Sequence, residues 1–150
     1  MSQRPSQRES AIGALFAVLG QLSLGTSGTT VKRNAALPER VADHAMAILR
    51  DGEMGEPEVS LSPLTYHWQH QVAIELFVAD ADAAARDARM DGLLAELAGL
   101  IEADRTLGGV IEYADIGPPK FDELAPDGSG GIKACLLPVV LHYSSSGPLN

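Results

Sequence analysis

The apolar positions of this chain divide it into two helical stretches and several strand-like ones. Ile12, Leu15, Leu19 and Leu22, joined by Ala11 and Val18, recur at helical spacing and predict an amphipathic helix over residues 6–24. Ser6 with Glu9 three residues later fits a capping box, and Gly25-Thr-Ser-Gly28 breaks the helix. A second stripe, Met90, Leu93, Leu94, Leu97, Leu100 and Ile101, predicts a helix over 83–103 capped by Asp80 or Asp82. Between the two, residues 64–79 change to a period of two. Val72, Ile74, Leu76 and Val78 alternate with Gln71, Ala73, Glu75 and Phe77, while Tyr66, Trp68 and His70 extend the apolar parity upstream.

Shorter runs predict strands over 29–34, 46–50, 110–116 and 132–144, with loops at 37–40 and 117–131. Asp51-Gly52 reads as the turn that closes the 46–50 strand. Residues 51–58 hold four acids, two glycines and a proline, which marks an exposed hairpin tip or a flexible loop. The long 64–79 strand, preceded by Pro57 and Pro63, suggests a paired arm reaching beyond the packed body. Pro138 cannot donate to a ladder and so marks an edge position or a bulge. Strands that do not alternate regularly with helices predict an α+β fold: a mostly antiparallel sheet, two amphipathic helices packed on one face, and an extended hairpin arm. We read residues 1–150 as a single domain, with 1–5 as an added flexible tail.

Composition narrows the class without naming it. With 150 residues, 45% hydrophobic and 21% charged, the chain is globular, and no apolar run is long enough to span a bilayer. Cys135 stands alone, which excludes an intrachain disulfide and points to a reducing compartment. Arg4 and Arg8 precede an apolar stretch, but Glu9, Gln21 and Ser23 interrupt the pattern and no A-x-A-like site follows, so no export signal is expected. The net charge is −9, unevenly spread. Residues 1–50 carry six Lys/Arg (Arg4, Arg8, Lys32, Arg33, Arg40, Arg50) against three acids, and residues 51–150 carry five against seventeen. Such a chain makes a poor nucleic-acid clamp, but its asymmetry permits head-to-tail contact between a basic surface of one copy and an acidic surface of the next. Those six cations are either that contact surface or an ordinary solvated scatter. Tyr66, Trp68 and His70 are similarly either arm side chains that meet a neighbour or core packing.

Chemistry-bearing motifs are absent. On a strand His67 and His70 point to opposite faces and cannot share one ion, so no metal and no cofactor is expected. Ser27, in Gly25-Thr-Ser-Gly-Thr29, lacks the spacing and the preceding strand of a nucleophile elbow. Cys135 sits among apolar residues, as inert buried thiols do, and Asp127-Gly-Ser-Gly-Gly131 lacks the Lys-Ser/Thr of a phosphate loop. No catalytic residues are assigned.

The stretch "IEADRTLGGVIEY", residues 101–113, is better read as a connector. Asp104-Arg-Thr-Leu ends the second helix, Gly108-Gly109 provides the positive φ needed to leave it, and Leu107 folds back onto the apolar stripe. This "D-x-T-L-G-G" element, in order with "VKRNAALPERV", "AILRDGE", "YHWQHQVAIELFVA" and "LLPVVLHYSSSGPL", resembles the tail terminator proteins of long-tailed bacteriophages and related gene transfer agents. The resemblance covers roughly residues 10–149. It implies a non-enzymatic virion protein, made in the host cytoplasm, that forms a homohexameric ring on the head-proximal end of the tail tube. Its implied partners are other copies of itself, the tail tube protein and a head-completion or neck protein. DNA passes through the ring without specific binding, and no membrane is involved. The alternatives are another head–tail completion or tail-tube protein, a monomeric binding module with an open sheet edge, and a small acyl-transfer or hydrolytic enzyme.

Overall fold

The computed structural model describes residues 4–23, 28–36, 45–124 and 131–150. The Gly25–Ser27 part of the first helix stop, Arg40 with its loop, and most of the Asp127–Gly131 turn lie outside them. In chain order the elements are α1 (Gln7–Leu19) with a 3₁₀ turn (Gly20–Ser23), β1 (Thr30–Arg33), β2 (Ala45–Glu53), β3 (Glu58–Ser60), β4 (Thr65–Ala79), α2 (Ala83–Ala103), β5 (Tyr113–Ile116), β6 (Lys120–Leu124) and β7 (Ile132–Ser145).

The fold is α+β, as the periodicities predict. A seven-stranded sheet runs β1-β2-β4-β7-β5, with β3 added to β4 and β6 added to β7. Every pairing is antiparallel except β1 with β2. Its axis is the β4–β7 pair, in register over fourteen consecutive partners from Tyr66↔Ser145 to Ala79↔Ile132. The outer strands cover that pair in halves. On the β4 side, β3 takes residues 65–67 and β2 residues 71–78; on the β7 side, β6 takes 132–136 and β5 takes 139–142.

Both helices lie on one face because each presents one apolar stripe. Ala11, Ile12, Leu15, Val18 and Leu19 of α1, and Met90, Leu93, Leu97 and Ile101 of α2, are buried. They join the even positions of β4 and the odd positions of β7 in one core. Ser6 caps α1 by accepting from the Glu9 amide at 3.1 Å, and Asp82 caps α2 by accepting from the Ala85 amide at 2.9 Å. The opposite face is not purely polar. Met46, Ile48 and Phe77 form a second buried cluster there, packed with Ala35, Ile132 and Ala134.

Three readings need correction. Asp51-Gly52 does not close a hairpin: β2 continues through it to Glu53 with a bulge between Arg50 and Glu53. Gly52 has φ +64°, and a Cβ there would lie 1.8 Å from the Gln71 carbonyl oxygen, so only glycine fits. The 117–131 loop contains a strand, β6, too short for its alternation to stand out. Pro138 occupies neither an edge strand nor a bulge. It stands in central β7 opposite Ala73, at the break between β6 and β5, where its carbonyl accepts from the Gly117 amide at 2.8 Å. The missing donor faces that gap, so no ladder bond is lost.

Candidate assembly surface

The helix-to-strand connector is held by its own polar groups. Asp104 Oδ1 accepts from the Gly108 amide at 2.9 Å, and Thr106 Oγ1 accepts from the Gly109 amide at 3.1 Å. Leu107, Gly108 and Gly109 all take positive φ, at 50°, 73° and 87°, and Leu107 is buried in the core. The Leu107 side chain thus offsets the cost of its own left-handed backbone by packing. The Arg105 carbonyl accepts from the Ala114 amide at 2.7 Å, which docks the connector onto β5. Aspartate, threonine, leucine and the two glycines therefore each have an architectural task, as the sequence suggests.

A polar chain crosses the sheet beneath the arm. Arg33 donates from Nε and Nη2 to the two carboxylate oxygens of Asp51, at 2.9 and 3.0 Å, and from Nη1 to Glu9 Oε2 at 2.9 Å. Glu9 thereby leaves its expected capping-box role and ties α1 to β1. The Asp51 carbonyl lies 2.6 Å from His70 Nε2, and His70 Nδ1 lies 2.7 Å from the Tyr143 hydroxyl. A carbonyl only accepts, so Nε2 carries the proton and donates to it; Nδ1 then accepts from the Tyr143 hydroxyl. The Arg33 hydrogen bonds hold the Asp51 carboxyl below the ordinary carboxylate range, and Asp51, then Glu9, stabilise the Arg33 charge in return. Burial lowers the pKa of His70, with the Arg8 charge adding to that pull, and pushes the Tyr143 hydroxyl up to about 12. The neutral His70–Tyr143 pair pins the Gly52 bulge to the centre of the sheet.

The structure divides the six proposed contact cations. Arg4 is exposed and Arg8 half-buried at the start of α1. Arg33 is engaged with Asp51 and Glu9 on the helix side, and Arg50 pairs with Glu75 at 2.6 Å. Lys32 is exposed and, in register with Ile48, faces away from the helices with Arg50. Arg40 lies outside the described residues. The described cations are thus spread over both faces. Among the aromatic set, Tyr66 is half-buried and stacks on Trp68 at 6.3 Å between ring centroids. Trp68 and His70 are buried, and Trp68 Nε1 donates to Ser145 Oγ at 2.9 Å. These three side chains build the base of the arm.

Exposed apolar side chains lie elsewhere. β3 pairs with the first residues of β4 as the expected arm, and around its turn Val59, Leu61 and Leu64 are exposed, Leu61 to 77%. At the other end of the sheet Phe121 is 53% and Leu136 39% exposed. The two ends of the sheet hold five of the seven exposed large hydrophobics among the described residues, but Leu136 faces away from the helices while Phe121 lies on the helix face beneath Lys133. Period-two reading places none of them, because it ranks buried faces and does not mark an apolar residue left outside.

The chemistry required of an enzyme has few candidates. Ser60 Oγ lies 2.9 Å from His67 Nε2, a nucleophile–base distance, but both are exposed and no carboxylate orients the imidazole among the described residues. Cys135 is buried, and burial raises its thiol pKa. Among the described residues no group of three or more His, Cys, Asp or Glu is placed to hold a metal ion. None of their helices is long and apolar enough to cross a membrane.

No protein-family model and no curated protein matches the chain. Among solved structures, one similar chain belongs to the virion of a native gene transfer agent particle. The two share 9% identity and a TM-score of 0.36, over 91% of this chain and 95% of that one. A likeness at that level assigns neither a family nor a function.

Proposed function

We propose that this chain is a tail terminator subunit of a phage or phage-like particle. Copies of it form a hexameric ring on the head-proximal end of the tail tube, stop tube growth and offer a surface to the head-completion protein. The observation that carries the reading is the "D-x-T-L-G-G" connector, with the family-like stretches around it in the same order. The connector leads from an amphipathic helix into a strand, and its polar groups hold it there. The arm and its exposed apolar turn agree with a role in association, since a closed ring needs two different patches on each subunit. The chain's acidic balance suits a conduit that DNA must traverse without sticking.

Adding purified protein to polymerising tail tubes tests the proposal. Capped tubes of reduced mean length, with the protein at one end only, are expected. Unchanged lengths at saturating protein refute it.

A further inference from the structure

The two exposed apolar sites occupy diagonally opposite corners of one sheet. The arm adds to β4 at residues 65–67, on the edge shared with β2, whereas β6 adds to β7 at 132–136, across from the far end of β4. At the β6 corner, on the face away from the helices, Phe77, Ala134 and Leu136 line a groove of about 420 Å³ with Lys120 and Asp122 at its mouth, while the Phe121 ring lies on the helix face under Lys133. That volume takes the side chains of an arm turn. The arm of the same chain cannot supply them. The turn precedes Thr65 and the groove begins near Glu75, about ten strand residues away, or roughly 33 Å along a rigid paired strand.

Charge also distinguishes the corners. Between residues 53 and 64 the only charged side chains are Glu53, Glu56 and Glu58. At the groove Glu75 is neutralised by Arg50, and the exposed Lys120 has no ion-pair partner among the described residues. An acidic, apolar-tipped arm therefore faces a neutral apolar groove whose Lys120 ammonium, matched in charge by Asp122, has no direct ion pair among the described residues.

We infer that Leu61 and Leu64 at the arm turn of one copy dock into the Phe77–Ala134–Leu136 groove of the next, with Glu58 or Glu56 reaching Lys120. The contact joins two different patches, so it propagates head to tail and closes only when the rotation per copy allows. It rests on the ring reading above and names the surfaces that would make the ring.

Cysteine cross-linking of the full chain tests the contact. On a Cys135→Ala background, Leu61→Cys, Leu136→Cys and the double variant are concentrated and treated with a short bismaleimide, whose two alkenes each add one thiol S–H. The double variant should give a ladder of dimers, trimers and higher multiples. An equimolar mixture of the two single variants should stop at dimers, and each single variant alone should stay monomeric. A double variant without a ladder overturns the inference, as does Leu61→Cys alone cross-linking as well as the mixture, which would mean arm-to-arm contact. If Leu136→Cys fails to fold, judged by circular dichroism, Asp122→Cys, exposed and in register with Ala134, presents a thiol to the same groove. Tube capping by the wild type is scored separately. Capping without a ladder refutes this contact and leaves the terminator reading standing; a ladder without capping does the reverse.

Discussion

The two ends of the β4–β7 pair are built on one continuous ladder and yet do opposite things with apolar side chains. At the body end Ile74, Leu76 and Val78 face Cys135 and Leu137 under two helices, and Phe77 is buried on the other face as well. At the arm end the ladder carries the buried Trp68 and His70, then gives way to a turn whose leucines point into solvent. The β4–β7 ladder runs unbroken along the whole strand, so it does not distinguish the ends. What differs is coverage: stability is concentrated where both faces are packed, and the exposed leucines of the turn stand where they are not.

Removing core volume at the body end should have the largest effect. Leu76→Ala, at a fully buried position, should lower unfolding free energy by about 4 kcal/mol in urea melts. A loss under about 1 kcal/mol would mean that the body end is not the stable one.

Gly52→Ala, at the junction of the two ends, should cost about 3 kcal/mol, since its Cβ meets the Gln71 backbone and its φ of +64° disfavours any side chain. Hydrogen exchange should show whether β3 and the start of β4 open before the body does.

The His70 junction should produce a pH dependence with a defined sign. Its folded pKa lies below the ordinary 6.5, so the unfolded chain takes up the proton first. Stability should be full above about pH 6.5 and fall as the pH drops towards the folded value. The groups facing it are Asp51, Tyr143 and Arg8. Asp51, also depressed, adds its own loss only as the pH falls below its ordinary 3.8, so the loss due to His70 begins at higher pH. His70→Gln should flatten the upper window in melts at a series of pH values.

The smallest effect on stability belongs to the arm turn. Leu61→Asp should shift unfolding by no more than about 0.5 kcal/mol, as exposed positions do, while abolishing capping of tail tubes. A variant that is both stable and fully active in capping would break the division between the two ends.

Much of this was legible because long periodic elements state their own geometry. Both helices, the run of β4 and the Leu107 tuck follow from spacing alone, whereas spacing leaves the α2 cap between Asp80 and Asp82, and the structure selects Asp82. The arm follows from prolines and strand length; Tyr66, Trp68 and His70 share the buried parity, and of these the structure buries Trp68 and His70. Gly52 was misread because Asp-Gly signals a turn wherever it occurs, and only the neighbouring strand reveals that the chain bulges and continues. β6 was missed for the same reason: five residues pair because β7 is already there to receive them. Arg33 and Arg50 looked like free cations in a basic segment, whereas their carboxylate partners lie 18 and 25 residues further along the chain.

The fourteen-rung register of β4 with β7 also has a mechanical meaning. A pull on the arm directed along the strands loads every rung at once, in shear, and the pair resists as a unit. A pull directed away from the sheet loads only the rung at Tyr66–Ser145 and then the next, as a zipper opens. A subunit held by its arm is therefore stiff along one axis and peelable along another, and the direction in which neighbours tug decides which of the two is felt.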